Sequence, residues 1–279
     1  MSNARIIRLA PKRMNPSFSA VRIDPKVASA SIDPFLAVDR FSMSGPTFPP
    51  HPHAGFSAVT YVLPESIGSI ANRDSRGDAS LIRPGGIHWT SAGSGMLHEE
   101  IPAVTGQTVE GLQIFVNHPF EAKLSPPAIY HIEPANIPLI SLEDGGWVRV
   151  VAGSIGDTAA PFTPTTQVTI LDVRLAAFSR FEWAGTQQPA HVALVHAGEL
   201  RAAGGSANQN GLVLPADGEF SASAGPQGSR FTLFAGRPLG EAVIWRGPFA
   251  MANEDQAADA VRRYLSGEMG RLEPSPEFT

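Results

Sequence analysis

Short runs of apolar and β-branched residues recur along the chain, each closed by proline, glycine or a polar cluster. Residues 57–63 (SAVTYVL) form a strand by propensity and stop at Pro64, and residues 111–117 (GLQIFVN) form another that ends before Pro119. Residues 148–152, 167–175, 191–196 and 230–235 continue the pattern. Short strands with frequent turn signals predict an all-β sandwich or barrel rather than βαβ units. The β-spacing of the second half loosely repeats that of the first. The chain is therefore read as two lobes, 1–150 and 151–279, with the proline-rich stretch 159–164 as the connection. One helix is signalled near the C-terminus. Asn253 is an N-cap with Gln256 three residues on, Ala257, Val261, Tyr264 and Leu265 share one face, and Gly267 closes it. The tail from Glu273 is expected to be flexible.

Composition narrows the classes of function. Of the 279 residues, 43% are hydrophobic and 17% charged, enough apolar surface for a core. The net charge of -5, with both signs scattered, argues against a nucleic-acid surface. No segment reads as a signal peptide or a membrane span, so a cytoplasmic monomer that touches neither membrane nor nucleic acid is expected. The chain has no cysteine, so a metal site here must be built from histidine and carboxylate.

Two histidine pairs supply such a site. In a strand, residues i and i+2 project from one face, so His51 and His53 can aim at one point. His98 and Glu100 have the same spacing, and parity turns Glu99 the other way. Three imidazoles and one carboxylate predict one divalent transition ion, with iron preferred and Mn, Ni, Cu or Zn as alternatives. Gly55, Gly85, Gly86, Gly93 and Gly95 lie nearby, as tight barrel corners require.

The residues around these pairs resemble a known pattern. His51-Pro-His-Ala-Gly-Phe56, Arg83-Pro-Gly85 with Trp89, residues 92–102 (AGSGMLHEEIP) and residues 111–117 are similar to the pirin family of the cupin superfamily. Residues 33–41 (DPFLAVDRF) and 247–253 (GPFAMAN) extend the resemblance over nearly the whole chain. It implies a bicupin, two double-stranded β-helix (jelly-roll) barrels packed together with a short C-terminal helix. The metal would lie in the first barrel, on His51, His53, His98 and Glu100, and the second barrel would have none. Two positions depart from the common pattern: Ala54 stands where arginine is usual, beside the expected metal mouth, and His88 stands in an altered Gly86-Ile-His88-Trp89 segment. His118 and His131 read as surface residues.

Some pirins have quercetin 2,3-dioxygenase activity, so the resemblance implies a metal-dependent oxidoreductase acting on a flavonol or related enol or phenol. Glu100 would then be the general base, and Phe41, Phe56 and Phe115 would wall an apolar cavity for the aromatic substrate. The alternative implied by the family is a non-enzymatic regulator, sensing metal or redox state and binding a transcription factor or a metabolic enzyme.

Overall fold

The computed structural model describes residues 4–184 and 188–278. It is an all-β fold, and its strands coincide with the apolar runs. Phe56–Val62, Val109–Asn117, Trp147–Ala152 and Val168–Leu175 stand where the pattern placed them, and the runs at 191–196 and 230–235 lie inside the longer strands Ala190–Ala202 and Phe220–Gly236.

The chain forms two compact units that do not divide it at 150/151. One comprises residues 12–23, 35–135 and 239–279; the other comprises residues 1–11, 24–34 and 136–238. The proline-rich stretch 159–164 lies inside the second unit, and the C-terminal helix belongs to the first.

The first unit holds two larger antiparallel sheets and a two-stranded one, Ile244–Arg246 with Phe249–Met251. One has seven strands in the order Ala128–Ile132, Ile87–Ser91, Phe56–Val62, Val109–Asn117, Phe35–Met43, Phe18–Ile23, Lys12–Asn15. The other has four, in the order His51–His53, Met96–Pro102, Ile70–Asp74, Ala79–Ile82. Phe18, Phe41, Met43, Val62, Ile70, Ile82 and Val109 form the core between them. Burial on both faces explains why Phe56–Val62 and Met96–Pro102 are continuously buried rather than alternating.

The helix Glu254–Leu265 begins as its sequence signals. Asn253 has extended backbone and its side chain accepts from Gln256 N at 2.9 Å. Glu254 and Asp255 sit in the first turn and Arg262 and Arg263 in the last, complementing the helix dipole. The buried face is Ala257 and Ala260 with Val261 beside them, while Tyr264 and Leu265 stay exposed. The small alanines let the helix sit close to Leu97, Phe249, Met251 and Met269. The tail is also fastened: Ser275 is buried and its backbone N–H donates to Glu99 Oε1 at 3.0 Å. Thr279 lies outside the described residues.

In the second unit, a nine-stranded sheet encloses a core that includes Leu171, Val173, Val195, Phe231 and Leu233. Arg230 and Asp172 form a buried two-pronged ion pair, 2.6 and 3.1 Å, and His196 Nε2 lies 2.7 Å from Thr232 Oγ1.

Candidate metal centre

The strand His51–His53 pairs antiparallel with Met96–Pro102, with His98 directly opposite His51 and Met96 opposite His53. Directly opposed residues share a face, and i, i+2 residues share it too, so three imidazoles must project from one side. Pro52 lacks an N–H, which an edge strand tolerates. Behind His53 the chain turns sharply at Gly55 (φ +82°), where a Cβ would lie 2.1 Å from the Ala250 carbonyl oxygen. Only glycine allows that approach.

The three rings meet at their Nε2 atoms. His98 Nε2 is 3.1 Å from His53 Nε2 and 3.1 Å from His51 Nε2. His51 donates its Nδ1–H to the Pro49 carbonyl at 2.9 Å, so its Nε2 carries a lone pair. Burial holds His51 below the ordinary imidazole pKa, and His53 and His98 well below it, which keeps the rings neutral and fit to ligate. Metal–nitrogen bonds of about 2.1 Å at right angles put neighbouring nitrogens about 3.0 Å apart, close to the spacing found here. The three side chains fit a transition ion.

Glu100 shares the face of His98 and lines a cavity with His51 and His53. Its carboxylate, however, stands outside the group of three nitrogens, whose ligand atoms lie within 4.8 Å of one another. The expected convergence of four donors is therefore complete for the imidazoles and partial for the carboxylate. Thr60 Oγ1 donates to Glu100 Oε2 at 2.6 Å, which leaves Oε1 without that bond. Burial raises the Glu100 pKa to about 7, against the lowering effect of the Thr60 bond. Glu99 points the other way, as parity requires, and its buried carboxylate pairs with Arg73 and takes the Ser275 N–H.

The cavity has a volume of about 470 Å³. Each bordering strand contributes alternate residues: Lys12 and Met14; Phe18, Ala20 and Arg22; Asp39, Phe41 and Met43; Gln113 and Phe115. Two of the three expected wall residues, Phe41 and Phe115, are on it. Phe56 lies behind, its ring 5.1 Å from that of His53 and 4.9 Å from that of Phe115.

Other sequence-level expectations are corrected. Ala54 is fully buried and packs with Leu97, Phe249 and the helix alanines, so it is absent from the metal mouth and carries no surface role. The strand alternation that aims His51 and His53 at the site turns residue 54 away from it. His118 is also fully buried: its Nε2 lies 2.8 Å from Ser57 Oγ, and burial lowers its pKa to about 4. His131 is half-buried, with Nδ1 3.3 Å from Nδ1 of the buried His88. Sequence reasoning passed over Lys123, which is fully buried and donates to the carbonyls of Gly55 and Ala250 and to Asn117. A lysine in loop-like sequence gives no sign that three acceptors will surround it.

Comparison with known proteins places this geometry among relatives. Residues 17–116 match the family model described as Pirin, and residues 170–270 match the Pirin C-terminal cupin domain. A Pirin-like protein of Caulobacter vibrioides is 34% identical, over 83% of this chain and 86% of its own. A Pseudomonas aeruginosa protein named "Putative quercetin 2,3-dioxygenase" is 33% identical, over 84% of this chain and 86% of its own. Among solved structures, quercetin 2,3-dioxygenase from Acinetobacter baumannii aligns with a TM-score of 0.83 at 24% identity, covering 96% of this chain and 99% of that one. The Escherichia coli pirin YhhW in complex with nickel(II) aligns with a TM-score of 0.66 at 15% identity, covering 84% and 98%.

Proposed function

The chain belongs to the pirin family of the cupin superfamily, and from that premise we propose that it is a metal-dependent dioxygenase acting on a flavonol or a related enol or phenol. The observation that carries this reading is the meeting of three neutral imidazoles beside an apolar cavity that also holds a buried carboxylate. The names of the Pseudomonas and Acinetobacter proteins support the same substrate class.

His51, His53, His98 and Glu100 would hold the ion, iron before Mn, Ni, Cu or Zn. A divalent transition ion bound there supplies Lewis-acid activation of a substrate hydroxyl and electron exchange with oxygen. The protein does the rest. Phe41 and Phe115 pack the substrate rings and exclude water from the reacting end. Glu100, with a pKa raised to about 7, takes the hydroxyl proton on Oε1 while Oε2 keeps its bond from Thr60. The Gln113 amide is pinned to the Val59 carbonyl at 3.2 Å and keeps a polar edge on an otherwise apolar wall.

The test is oxygen consumption with quercetin by protein loaded separately with Fe, Mn, Ni and Cu. Turnover with at least one ion is expected, and failure of all four refutes the activity. Metal analysis of protein from its native host identifies the ion. If Glu100→Ala keeps both metal and oxygen uptake, the assignment of Glu100 is wrong.

A further inference from the structure

The hairpin that closes the cavity carries a cation with nothing to bind. Strands Lys12–Asn15 and Phe18–Ile23 stand at the edge of the seven-stranded sheet, and strand parity divides their side chains between two faces. Lys12 and Met14 face the cavity, together with Phe18, Ala20 and Arg22. Arg13 is occupied by its own hairpin, donating to the carbonyls of Asn15 and Pro16 at 3.2 and 3.0 Å. Arg22 is neutralised by Asp39, 2.9 Å away. Lys12 makes no hydrogen bond or ion pair among the described residues.

Besides Lys12 and the paired Arg22 and Asp39, the charged side chain lining the cavity among the described residues is Glu100, which shares its face with His98. From the Lys12 strand to the Thr60 strand are four inter-strand steps, about 19 Å along the curved sheet at the usual spacing. The lining thus combines the candidate metal centre, Phe and Met side chains, and one positive charge on the edge hairpin, four strand steps from the strand that carries Thr60.

We infer that Lys12 forms an anion subsite, so that the favoured substrate is a planar aromatic compound with a carboxylate, sulfonate or similar anionic group on the ring remote from the metal. The inference rests on the dioxygenase reading for the orientation of the ligand, but not for its binding. Lys12 acts here on specificity and takes no part in the chemistry. An exposed ion pair changes an equilibrium by a factor of about 1.5 to 5, so the expected preference is a few-fold and salt-sensitive.

The experiment measures binding and turnover separately. Nickel-loaded protein, without oxygen, is titrated with quercetin and with quercetin sulfonated on its catechol ring, and quenching of tryptophan fluorescence reads the dissociation constants. Wild type should bind the sulfonate about threefold more tightly at low ionic strength. Lys12→Met should bring the ratio to one, Lys12→Glu should invert it, and high salt should abolish it. The affinity of each variant for neutral quercetin is measured alongside, so that only the sulfonate-to-quercetin ratio reads the subsite. Equal binding of the two ligands by wild type, a ratio unmoved in Lys12→Glu, or no binding of either overturns the subsite. Oxygen uptake with neutral quercetin is scored independently. If uptake fails while the charge ratio persists and responds to Lys12, the activity falls and the subsite stands.

Discussion

Two adjacent glutamates with opposite jobs offer the sharpest check on strand parity at this site. Glu99 is 1% exposed, pairs with Arg73 and accepts the Ser275 N–H, so it ties the C-terminal tail to the strand that carries His98. Replacing it with alanine strands a buried N–H and a half-buried guanidinium. A hydrogen bond to a charged group contributes about 1.5–3 kcal/mol. The Arg73 partner is 39% exposed, so its share is discounted to about 1 kcal/mol or less. Glu99→Ala should therefore cost about 2–4 kcal/mol of stability and leave the metal stoichiometry unchanged.

Glu100 should behave in the opposite way. Its folded pKa of about 7 lies above the ordinary 4.5, so the charged form opposes folding, and that cost grows as pH rises from 4.5 to 7 and is fully present above 7. The difference corresponds to ~3 kcal/mol at pH 8. Glu100→Gln keeps an acceptor for Thr60, so the metal-free variant should be more stable than wild type at pH 8 by up to that amount, and equal to it near pH 4.5. Its metal content should fall. Urea unfolding of metal-free protein at both pH values, with elemental analysis of the loaded protein, reads each quantity. If Glu99→Ala strips the metal without destabilising the fold, or Glu100→Gln unfolds the metal-free protein while keeping its ion, the assignment of faces is refuted.

Other outcomes follow from the same packing. The folded pKa of His118, about 4, lies below the ordinary 6.5, so its contribution is complete above pH 6.5 and is lost as pH falls towards 4. It should add about 1.4 kcal/mol per pH unit to the acid limb of the stability curve, and His118→Gln should flatten that limb by one proton, read by urea midpoints between pH 7 and 4. Gly55→Ala puts a Cβ 2.1 Å from the Ala250 oxygen at a positive φ, so the variant should either fail to fold or bind nickel at least tenfold more weakly, measured by calorimetry. Met269 is buried, and its side chain occupies the space beside Gly95. Met269→Ala should cost about 2–5 kcal/mol in thermal or urea unfolding.

Much of this protein is local, and so was legible in its residues. Alternation of period two is a property of extended backbone, so the pairs His51/His53 and His98/Glu100 announce a shared face and Glu99 announces the other. The helix start is equally local, because Asn253 and Gln256 satisfy N–H groups within one turn. The apolar runs marked strands, and the motif pattern marked the family.

What needed the tertiary structure is what depends on neighbours distant in sequence. Which face of the helix is buried depends on what it lies against, and alanines 257 and 260 proved closer to the sheet than Tyr264 and Leu265. Ala54 is buried by the C-terminal segment, and His118 is buried beside Ser57 and Lys123, partners that no local pattern names. The tail is held by Glu99, 176 positions away from Ser275. Thr60 bonds the Glu100 carboxylate because a hydroxyl 40 positions earlier faces it on the neighbouring sheet. Sequence periodicity determined which side chains share a face; only the closing of the sheets decided which of them meet, since a hydrogen bond or a metal site is settled by separations of a few tenths of an ångström.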